Sequence, residues 1–359
     1  GFAQFLLSQL AVGNIAQNAL VIYDVSLLVV HIGSVVFHPY FGPVFTAHPT
    51  ESPRRTMLRK QQRIAHILVD RLDTSITPHE RRSLWGRLRS EITTRWQTEE
   101  HQRDRLTVAD EREHVLFYVV EILYRIIPLF YDEIEFALAR AYGVEADSLT
   151  MPSMVAFSTW VGGDMDGKPD VHAKTIRETL ARHQQLIVSA YYDECLRLAQ
   201  KLSQSASRVG ITRALQQRID EYAVLLPGAQ ALTPARHDRM PYRVFLGQVA
   251  ERLRATYDGR ANHYGNAREL RADIEILAAS LKEHRGAHAG YFSIRRLLRR
   301  IDTFGFHLAT LDVRQHTSVH HAVIAQGLGD PDWLARRPVE RLERLHEALE
   351  RDRGPSGTF

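Results

Sequence analysis

Residues 43 to 56 read PVFTAHPTESPRRT, and this stretch decides how the chain begins to fold. The apolar, β-branched run over residues 43–47 is bounded by a Gly-Pro pair, which predicts a short buried strand. Ser52 suits a helix N-cap, and Pro53 suits the first helical position, where its missing N–H is not needed. The sequence therefore predicts a strand, a sharp loop and a helix in direct succession.

Three side chains around this loop are charged or can titrate. His48 follows the predicted strand, and Arg54 and Arg55 fall in the first helical turn, where the helix end already favours anions. An imidazole beside an anion site is what proton transfer on a phosphorylated substrate requires. A hydrogen-bonded structural histidine and two solvent-facing arginines would explain the same residues, so the pattern alone leaves both interpretations open.

A glycine-rich stretch, WVGGDMDGKPD over residues 160–170, follows a second strand predicted from Val155 to Val161. Its glycines permit positive φ angles and close backbone approach. Two aspartates suggest a calcium loop, but Gly167 stands at the fourth position instead of the sixth, and Thr175 replaces the bidentate glutamate. A tight turn in which the aspartates accept backbone N–H groups would account for the stretch without a ligand.

The third charged stretch ends a strand predicted from Phe306 to Arg314. With a period of two, Asp312 and Arg314 would share one face with Phe306 and Leu308. Charged side chains at the end of a buried strand need a partner or a ligand. Either an internal salt bridge or an anion site is therefore expected.

In this order and at these strand ends, the three stretches resemble the motifs of the phosphoenolpyruvate carboxylase family. The matching residues are TAHPTE and RRT within residues 46–56, WVGGDMDGKP at 160–169, and LDVRQ at 311–315. Lys168 replaces the family's usual asparagine, and Met165 replaces a frequent arginine. These departures concern fine tuning of the loop and not membership of the family.

The resemblance implies a role for each stretch. It implies that His48 assists proton transfer and that Arg314, oriented by Asp312, holds the substrate phosphate. It also implies that Trp160 helps to form a pocket for bicarbonate or carbon dioxide. The remaining residues expected to contact substrate or support anions are Arg54, Arg55, Gly162, Gly163 and Asp164.

The family reaction joins phosphoenolpyruvate and bicarbonate to give oxaloacetate and phosphate, which feeds the tricarboxylic acid cycle. The resemblance implies a divalent cation, Mg²⁺ or Mn²⁺, and a cytoplasmic homo-oligomer, a tetramer. It also implies metal-binding acidic residues, a catalytic lysine and a mobile glycine-arginine loop in a second half, and none of these motifs occurs in the 359 residues. We therefore expect no metal ligand in this sequence, and an inactive enzyme if these residues act alone.

Helical patterns fill most of the remaining chain. Thr77 begins a long helix with a capping box, and apolar residues then recur at helical spacing from Trp85 to Trp96. Thr107 or Asp110 begins a second long helix, and Asp170 is expected to cap a third. Strands this few and far apart predict a mainly α fold, an incomplete (β/α) barrel of about three strands with large helical insertions. We expect an atypical apolar segment over residues 1–42, followed by one barrel-like domain over residues 43–359.

Composition limits the other function classes. Net charge is +4, and only five of the 46 basic residues are lysine, without an aromatic-interleaved basic patch. We therefore expect no nucleic-acid partner. The apolar run from Leu20 to Phe37 contains polar residues, so we expect no membrane segment, and the single Cys195 fits a reducing compartment. Two alternatives stay open: an inactive helical scaffold of the same family, and an arginine-rich protein that binds anions or nucleic acids.

Overall fold

A computed structural model describes residues 41–46, 55–99, 106–143, 149, 151–166, 168 and 170–352. His48 and Arg54 lie outside these described residues, as does the side chain of Arg55. The atypical segment expected over residues 1–42 also lies outside them, apart from its last two residues.

Three short parallel strands form one sheet in the order β1 (Val44–Phe45), β2 (Ser158–Thr159) and β3 (Thr310–Leu311). The first residue of each strand lies opposite the first residue of its neighbour, and the last lies opposite the last. The strands fall inside the three predicted spans, although each is shorter. Because they are parallel and in register, all three end at the same edge of the sheet.

The third strand begins later than the sequence predicted. Leu308 has a positive φ of 61°, and its N–H donates to the carbonyl oxygen of Phe304 at 2.8 Å, so the chain still turns here. The expectation that Asp312 and Arg314 share a strand face with Phe306 and Leu308 is therefore wrong. Alternation along a strand cannot be extended through a turn that belongs to the end of the preceding helix.

Helices fill the connections between the strands and continue after β3, so the predicted mainly helical class is confirmed. Their bounds are α1 (Arg55–Asp70), α2 (Pro78–Trp96), α3 (Val108–Tyr118), α4 (Tyr124–Tyr142), α5 (Ala173–Lys201), α6 (Arg213–Leu225), α7 (Pro241–Asp258), α8 (Ala267–Glu283), α9 (Phe292–Phe304), α10 (Thr317–Leu328) and α11 (Pro338–Asp352). Closure of the strands into a barrel stays a prediction.

Capping residues set most of these helix starts. Thr77 and Thr107 begin α2 and α3 with reciprocal capping boxes. The box at Thr77 was predicted, and of the two starts left open for α3 the structure has Thr107, with Asp110 as its partner in the box. α5 differs, because His172 is its N-cap and Asp170 contributes only a carbonyl oxygen, which accepts from Thr175 Oγ1 at 3.0 Å. A histidine nitrogen here fills the place that a carboxylate oxygen was expected to fill.

A π-helical turn at Val119–Leu123 joins α3 and α4 into one helix of 35 residues. Pro128 has no N–H to donate to the Tyr124 carbonyl, and Arg300 Nε of α9 donates to that oxygen instead, at 2.9 Å. Length and composition alone would allow this helix to cross a membrane. However, 61% of its most apolar window is buried inside the protein, which is also typical of a core helix.

The main hydrophobic core surrounds α5, and the most extensive helix contact is between α5 and α7. Cys195 lies in this core with no exposed surface, and burial raises the pKa of its thiol to about 12. A thiol with that pKa is protonated and unreactive at neutral pH, so Cys195 is a small core residue.

α1 and α2 form a hairpin with a small core of its own, made by Ile67, Leu84 and Leu88. The helical spacing predicted α2, but two of its large apolar side chains face outward. Trp85 is 52% exposed and Trp96 is 84% exposed. The hairpin therefore has little buried apolar surface compared with the core around α5.

Candidate functional site

The sheet brings together stretches that lie far apart in the sequence. Beyond β2 and β3, the backbones of Asp164 and Arg314 pair as an isolated parallel bridge. The Arg314 N–H donates to the Gly163 carbonyl at 3.0 Å, and the Met165 N–H donates to the Arg314 carbonyl at 2.8 Å. The glycine-rich loop therefore hydrogen-bonds to both the N–H and the carbonyl oxygen of Arg314 in the segment after β3.

The side chains of Trp160 and Arg314 meet at this edge. The guanidinium carbon of Arg314 lies 3.5 Å from the Trp160 ring centroid, with Trp160 half-buried and Arg314 exposed. Stacking on an indole face leaves the N–H groups in the guanidinium plane free to bind a carboxylate or a phosphate. The resemblance assigned Arg314 to the substrate phosphate and Trp160 to the bicarbonate pocket, and the structure makes these two side chains direct neighbours.

Asp312 does not hold Arg314 in the way that was expected. No ion pair joins the two side chains in the part of the chain that the structure describes, and the contact that orients Arg314 there is the stack on Trp160. The backbone of Asp312 has a clear role, because its N–H donates to the Thr159 carbonyl at 2.9 Å and extends the sheet by one bond.

The two adjacent glycines of the loop are required by close packing. Gly162 has a φ of 87°, and a Cβ there would collide with the side chain of Thr179 on α5. A Cβ on Gly163 would collide with the carbonyl oxygen of Asp312. The N–H groups of Gly163 and Asp164 both donate to the Trp160 carbonyl, at 2.8 and 3.0 Å. The glycines thus let the loop fit tightly between α5 and the end of β3.

The acidic residues of the loop form a local turn. Asp164 Oδ1 accepts from the N–H of Asp166 at 3.2 Å, an arrangement that agrees with the turn interpretation of this stretch. Lys168, which departs from the family pattern, forms an ion pair with Glu111 of α3, with 3.1 Å between Lys168 Nζ and Glu111 Oε2. The described residues contain no group of three or more His, Cys, Asp or Glu side chains that could hold a metal ion.

Sequence reasoning missed two buried polar residues behind the loop. His183 of α5 lies with its Nδ1 3.2 Å from the Ala309 carbonyl and 3.3 Å from the His307 carbonyl, just before β3. Burial lowers the pKa of His183, so its ring is neutral at neutral pH. Thr159 of β2 is 1% exposed and hydrogen-bonds through its hydroxyl. In the sequence, Thr159 was marked only by a hydroxyl directly before the glycine-rich stretch.

Known proteins match the chain over most of its length. The family model for phosphoenolpyruvate carboxylase matches residues 25–355. The phosphoenolpyruvate carboxylase of Xanthomonas campestris pv. campestris (strain 8004) is 45% identical over 303 residues, which cover 84% of this chain and 33% of that protein. The phosphoenolpyruvate carboxylase of Nitrosomonas europaea is 35% identical over 335 residues, which cover 89% of this chain and 35% of that protein.

The chain thus spans about a third of the length of these curated relatives. All three stretches that suggested the resemblance, including the joined loop and Arg314 segment, fall inside the matched region. With a match of this extent and relatives this similar, the chain belongs to the phosphoenolpyruvate carboxylase family.

Proposed function

We propose that this chain contributes to the carboxylation of phosphoenolpyruvate by bicarbonate, which gives oxaloacetate and phosphate. The observation that carries the proposal is the contact between Arg314 and Trp160 at the carboxyl edge of the sheet. One side chain offers a forked cation for a phosphate, and the other offers an apolar wall beside it. A reaction between a phosphorylated substrate and bicarbonate needs both within one site.

Arg314 binds the substrate phosphate in this proposal. Its guanidinium is exposed and stacked, and no described carboxylate pairs with it, so its donors are available. A planar fork can donate two parallel hydrogen bonds to a phosphate, which fixes orientation as well as charge. Asp312 supports the site through its backbone bond to Thr159.

Trp160 forms one wall of the bicarbonate pocket. In the proposed reaction a bicarbonate oxygen attacks the phosphorus, which gives carboxyphosphate and the enolate of pyruvate. Carboxyphosphate then breaks down to phosphate and carbon dioxide, and the enolate carbon attacks the carbon dioxide to form oxaloacetate. An indole face excludes water from the site of these reaction steps. Water there would hydrolyse carboxyphosphate and waste the substrate. Gly162, Gly163 and Asp164 shape the loop that carries this wall.

His48 assists the proton transfer by which carboxyphosphate loses its carboxyl group, and Arg54 and Arg55 support the anions. This part of the proposal rests on the sequence, because His48, Arg54 and the side chain of Arg55 lie outside the described residues. What supports it is the order of the chain. β1 ends at Phe45, three residues before His48, at the edge where Trp160 and Arg314 meet.

The family implies Mg²⁺ or Mn²⁺, and the described residues do not fit such an ion, because no three His, Cys, Asp or Glu side chains among them converge. We therefore derive no step through a metal from this chain. We propose that the metal ligands belong to the rest of a protein that is as long as the relatives. We also propose that the three strands belong to a (β/α) barrel over residues 43–359. The proposed protein is a cytoplasmic homo-oligomer.

Isotopic bicarbonate incorporation by the gene product that contains these residues tests the proposed function. Purified protein should convert labelled bicarbonate and phosphoenolpyruvate into labelled oxaloacetate when Mg²⁺ is present. In the same protein, His48→Asn should abolish oxaloacetate formation while some bicarbonate-dependent phosphate release survives. No incorporation by the unsubstituted protein would refute the proposal.

A second candidate is an inactive scaffold, which the coverage of about a third of the relatives favours for these 359 residues taken alone. The isolated 359-residue chain should form no measurable oxaloacetate and bind Mg²⁺ weakly. Robust metal-dependent carboxylation by this chain alone would contradict that expectation and show that we have misplaced the metal site.

A further inference from the structure

The hydroxyl of Thr159 connects two of the segments that build the candidate site. Its Oγ1 donates to the carbonyl oxygen of Phe45, the last residue of β1, at 2.8 Å. The same oxygen accepts the N–H of Val161 in the glycine-rich loop at 3.2 Å. Since a hydroxyl has one donor and two acceptor positions, both bonds can form at once.

The backbone of Thr159 connects the third segment. Its carbonyl oxygen accepts the N–H of Asp312 at 2.9 Å, two residues before Arg314. Thr159 therefore hydrogen-bonds to the end of β1, to the start of the loop and to the residue that follows β3. Only 1% of this residue is exposed, so water does not compete for these bonds.

The bond from Val161 fixes the peptide group that follows Trp160. The carbonyl oxygen of this peptide accepts the N–H groups of Gly163 and Asp164, so its orientation determines how the loop turns. The same peptide sets the direction in which the Trp160 ring leaves the backbone, and this ring carries the guanidinium of Arg314. A change at the Thr159 hydroxyl would therefore move the Trp160 wall relative to β1.

We propose that Thr159 is a positioning residue, which holds the Trp160 wall and Arg314 in register with the end of β1 at Phe45. This inference rests on the proposed function. Its chemical consequence concerns coupling between the two halves of the reaction. Phosphate release needs the substrate phosphate and bicarbonate, whereas capture of carbon dioxide also needs the Trp160 wall to keep its position relative to the end of β1.

Two variants of the gene product isolate the hydroxyl. Thr159→Val keeps the shape of the side chain and loses both hydrogen bonds, whereas Thr159→Ser loses a methyl group and keeps them. In Thr159→Val we expect the molar ratio of phosphate released to oxaloacetate formed to rise at least threefold above the unsubstituted value. In Thr159→Ser, which keeps both hydrogen bonds, the ratio should stay within about 1.5-fold of the value for the unsubstituted protein.

Thr256 supplies a matched control away from the sheet. Its Oγ1 donates to the Arg252 carbonyl at 2.9 Å and accepts the N–H of Tyr264 at 3.0 Å, so it makes the same two kinds of bond. Thr256→Val should lower the melting temperature and leave the ratio unchanged. An unchanged ratio in Thr159→Val would overturn the inference. An equal rise in Thr256→Val would also overturn it, because loss of any hydroxyl that makes these two bonds would then explain the result.

A spectroscopic measurement separates failure of this inference from failure of the proposed function. With 5-fluorotryptophan in the protein, the fluorine resonance of Trp160 is assigned by its disappearance in Trp160→Phe. Thr159→Val should shift this resonance, and Thr159→Ser and Thr256→Val should not. If the resonance does not move, Thr159 does not position Trp160, whatever the activity. If it moves in a protein that makes no oxaloacetate, the positioning role stands and the proposed reaction is wrong.

Discussion

Two arginines of this protein stack on aromatic rings in very different surroundings. Arg314 lies 3.5 Å from the centroid of Trp160 at the edge of the sheet, and Arg252 lies 4.0 Å from the centroid of Tyr264 in the helical layer. Arg252 also donates to Glu269 at 2.5 Å and lies 3.8 Å from Asp273. Arg314 has no carboxylate partner among the described residues.

The difference separates a structural stack from one that is open to a ligand. Arg252 has two carboxylate partners, Glu269 and Asp273. Asp273, which has no exposed surface, also accepts from the hydroxyls of Tyr222 and Tyr264 at 2.6 and 2.7 Å. At the sheet edge the aromatic ring is present, and no carboxylate among the described residues pairs with Arg314. A cation whose geometry is fixed and whose acceptors are missing is ready to bind an anion.

Removal of the buried acceptor should have the largest effect. Asp273→Asn leaves the guanidinium groups of Arg218 and Arg252 without a buried counter-charge, and we expect a loss of about 3–5 kcal/mol in the free energy of unfolding. Urea titration followed by circular dichroism measures this loss. Glu221→Gln is the control, because Glu221 pairs with the same Arg218 at 3.1 Å but is 60% exposed. It should cost less than about 1 kcal/mol, and an equal loss in both variants would contradict a special role for burial.

Substitution of each arginine by lysine should separate the two stacks. Arg314→Lys keeps the charge but loses the fork, so we expect the KM for phosphoenolpyruvate to rise about tenfold, with little change in stability. Arg252→Lys should instead lower the free energy of unfolding by about 1–3 kcal/mol and leave that KM unchanged. Steady-state kinetics and thermal melting of both variants test this. If Arg314→Lys changed only the melting temperature, Arg314 would be a structural residue.

Loss of the ring beneath Arg314 should affect bicarbonate most. Trp160→Ala removes the apolar wall, and we expect kcat/KM for bicarbonate to fall about tenfold and more than the value for phosphoenolpyruvate. Both values are measured by varying one substrate at saturation with the other. An equal fall in both would indicate general loss of packing at the sheet edge, and the open stack would then carry no specificity.

The smallest expected effect is a pH dependence that arises behind the site. Burial lowers the pKa values of His183, His114 and His307, so in the folded state these rings stay neutral below their usual pKa of about 6.5. The unfolded chain then binds more protons than the folded chain, and the free energy of unfolding must fall as pH decreases below about 6.5. Urea titrations between pH 7.5 and 5.5 measure this fall.

His183→Asn removes one of these titrating groups and keeps a donor near the Nδ1 position. The loss of stability between pH 7.5 and 5.5 should therefore be smaller in this variant, by at most about 1.4 kcal/mol per pH unit for one proton. An unchanged pH dependence would mean that His183 takes up its proton as easily in the folded protein as in the unfolded chain.

Local signals in the sequence predicted much of this fold. The Thr77 capping box appeared where it was expected, because such a cap depends only on residues three positions apart. The direct contact between Trp160 and Arg314 could not be predicted in the same way. It depends on the register of β2 with β3, which the intervening helices and turn determine.

The errors have physical causes of the same kind. The predicted third strand began too early because apolar residues such as Leu308 fit a buried strand. In the structure Leu308 has a positive φ, which a strand does not allow. Asp312 was paired with Arg314 because a continuous strand would place both on one face, whereas the ring of Trp160, directly after β2, provides the contact. Thr159 was overlooked because a buried hydroxyl shows its value only when both of its partners are known.

The register of the sheet also has a consequence for synthesis on the ribosome. β1 cannot pair until β2 has been made, more than a hundred residues later, and β2 then waits still longer for β3. At about 5–20 residues per second, each interval lasts roughly five to thirty seconds, long enough for the intervening helices to form first. The edge that carries Arg314 is therefore completed after the helices that separate the strands, and a nascent chain arrested before Thr310 would contain those helices without an anion site.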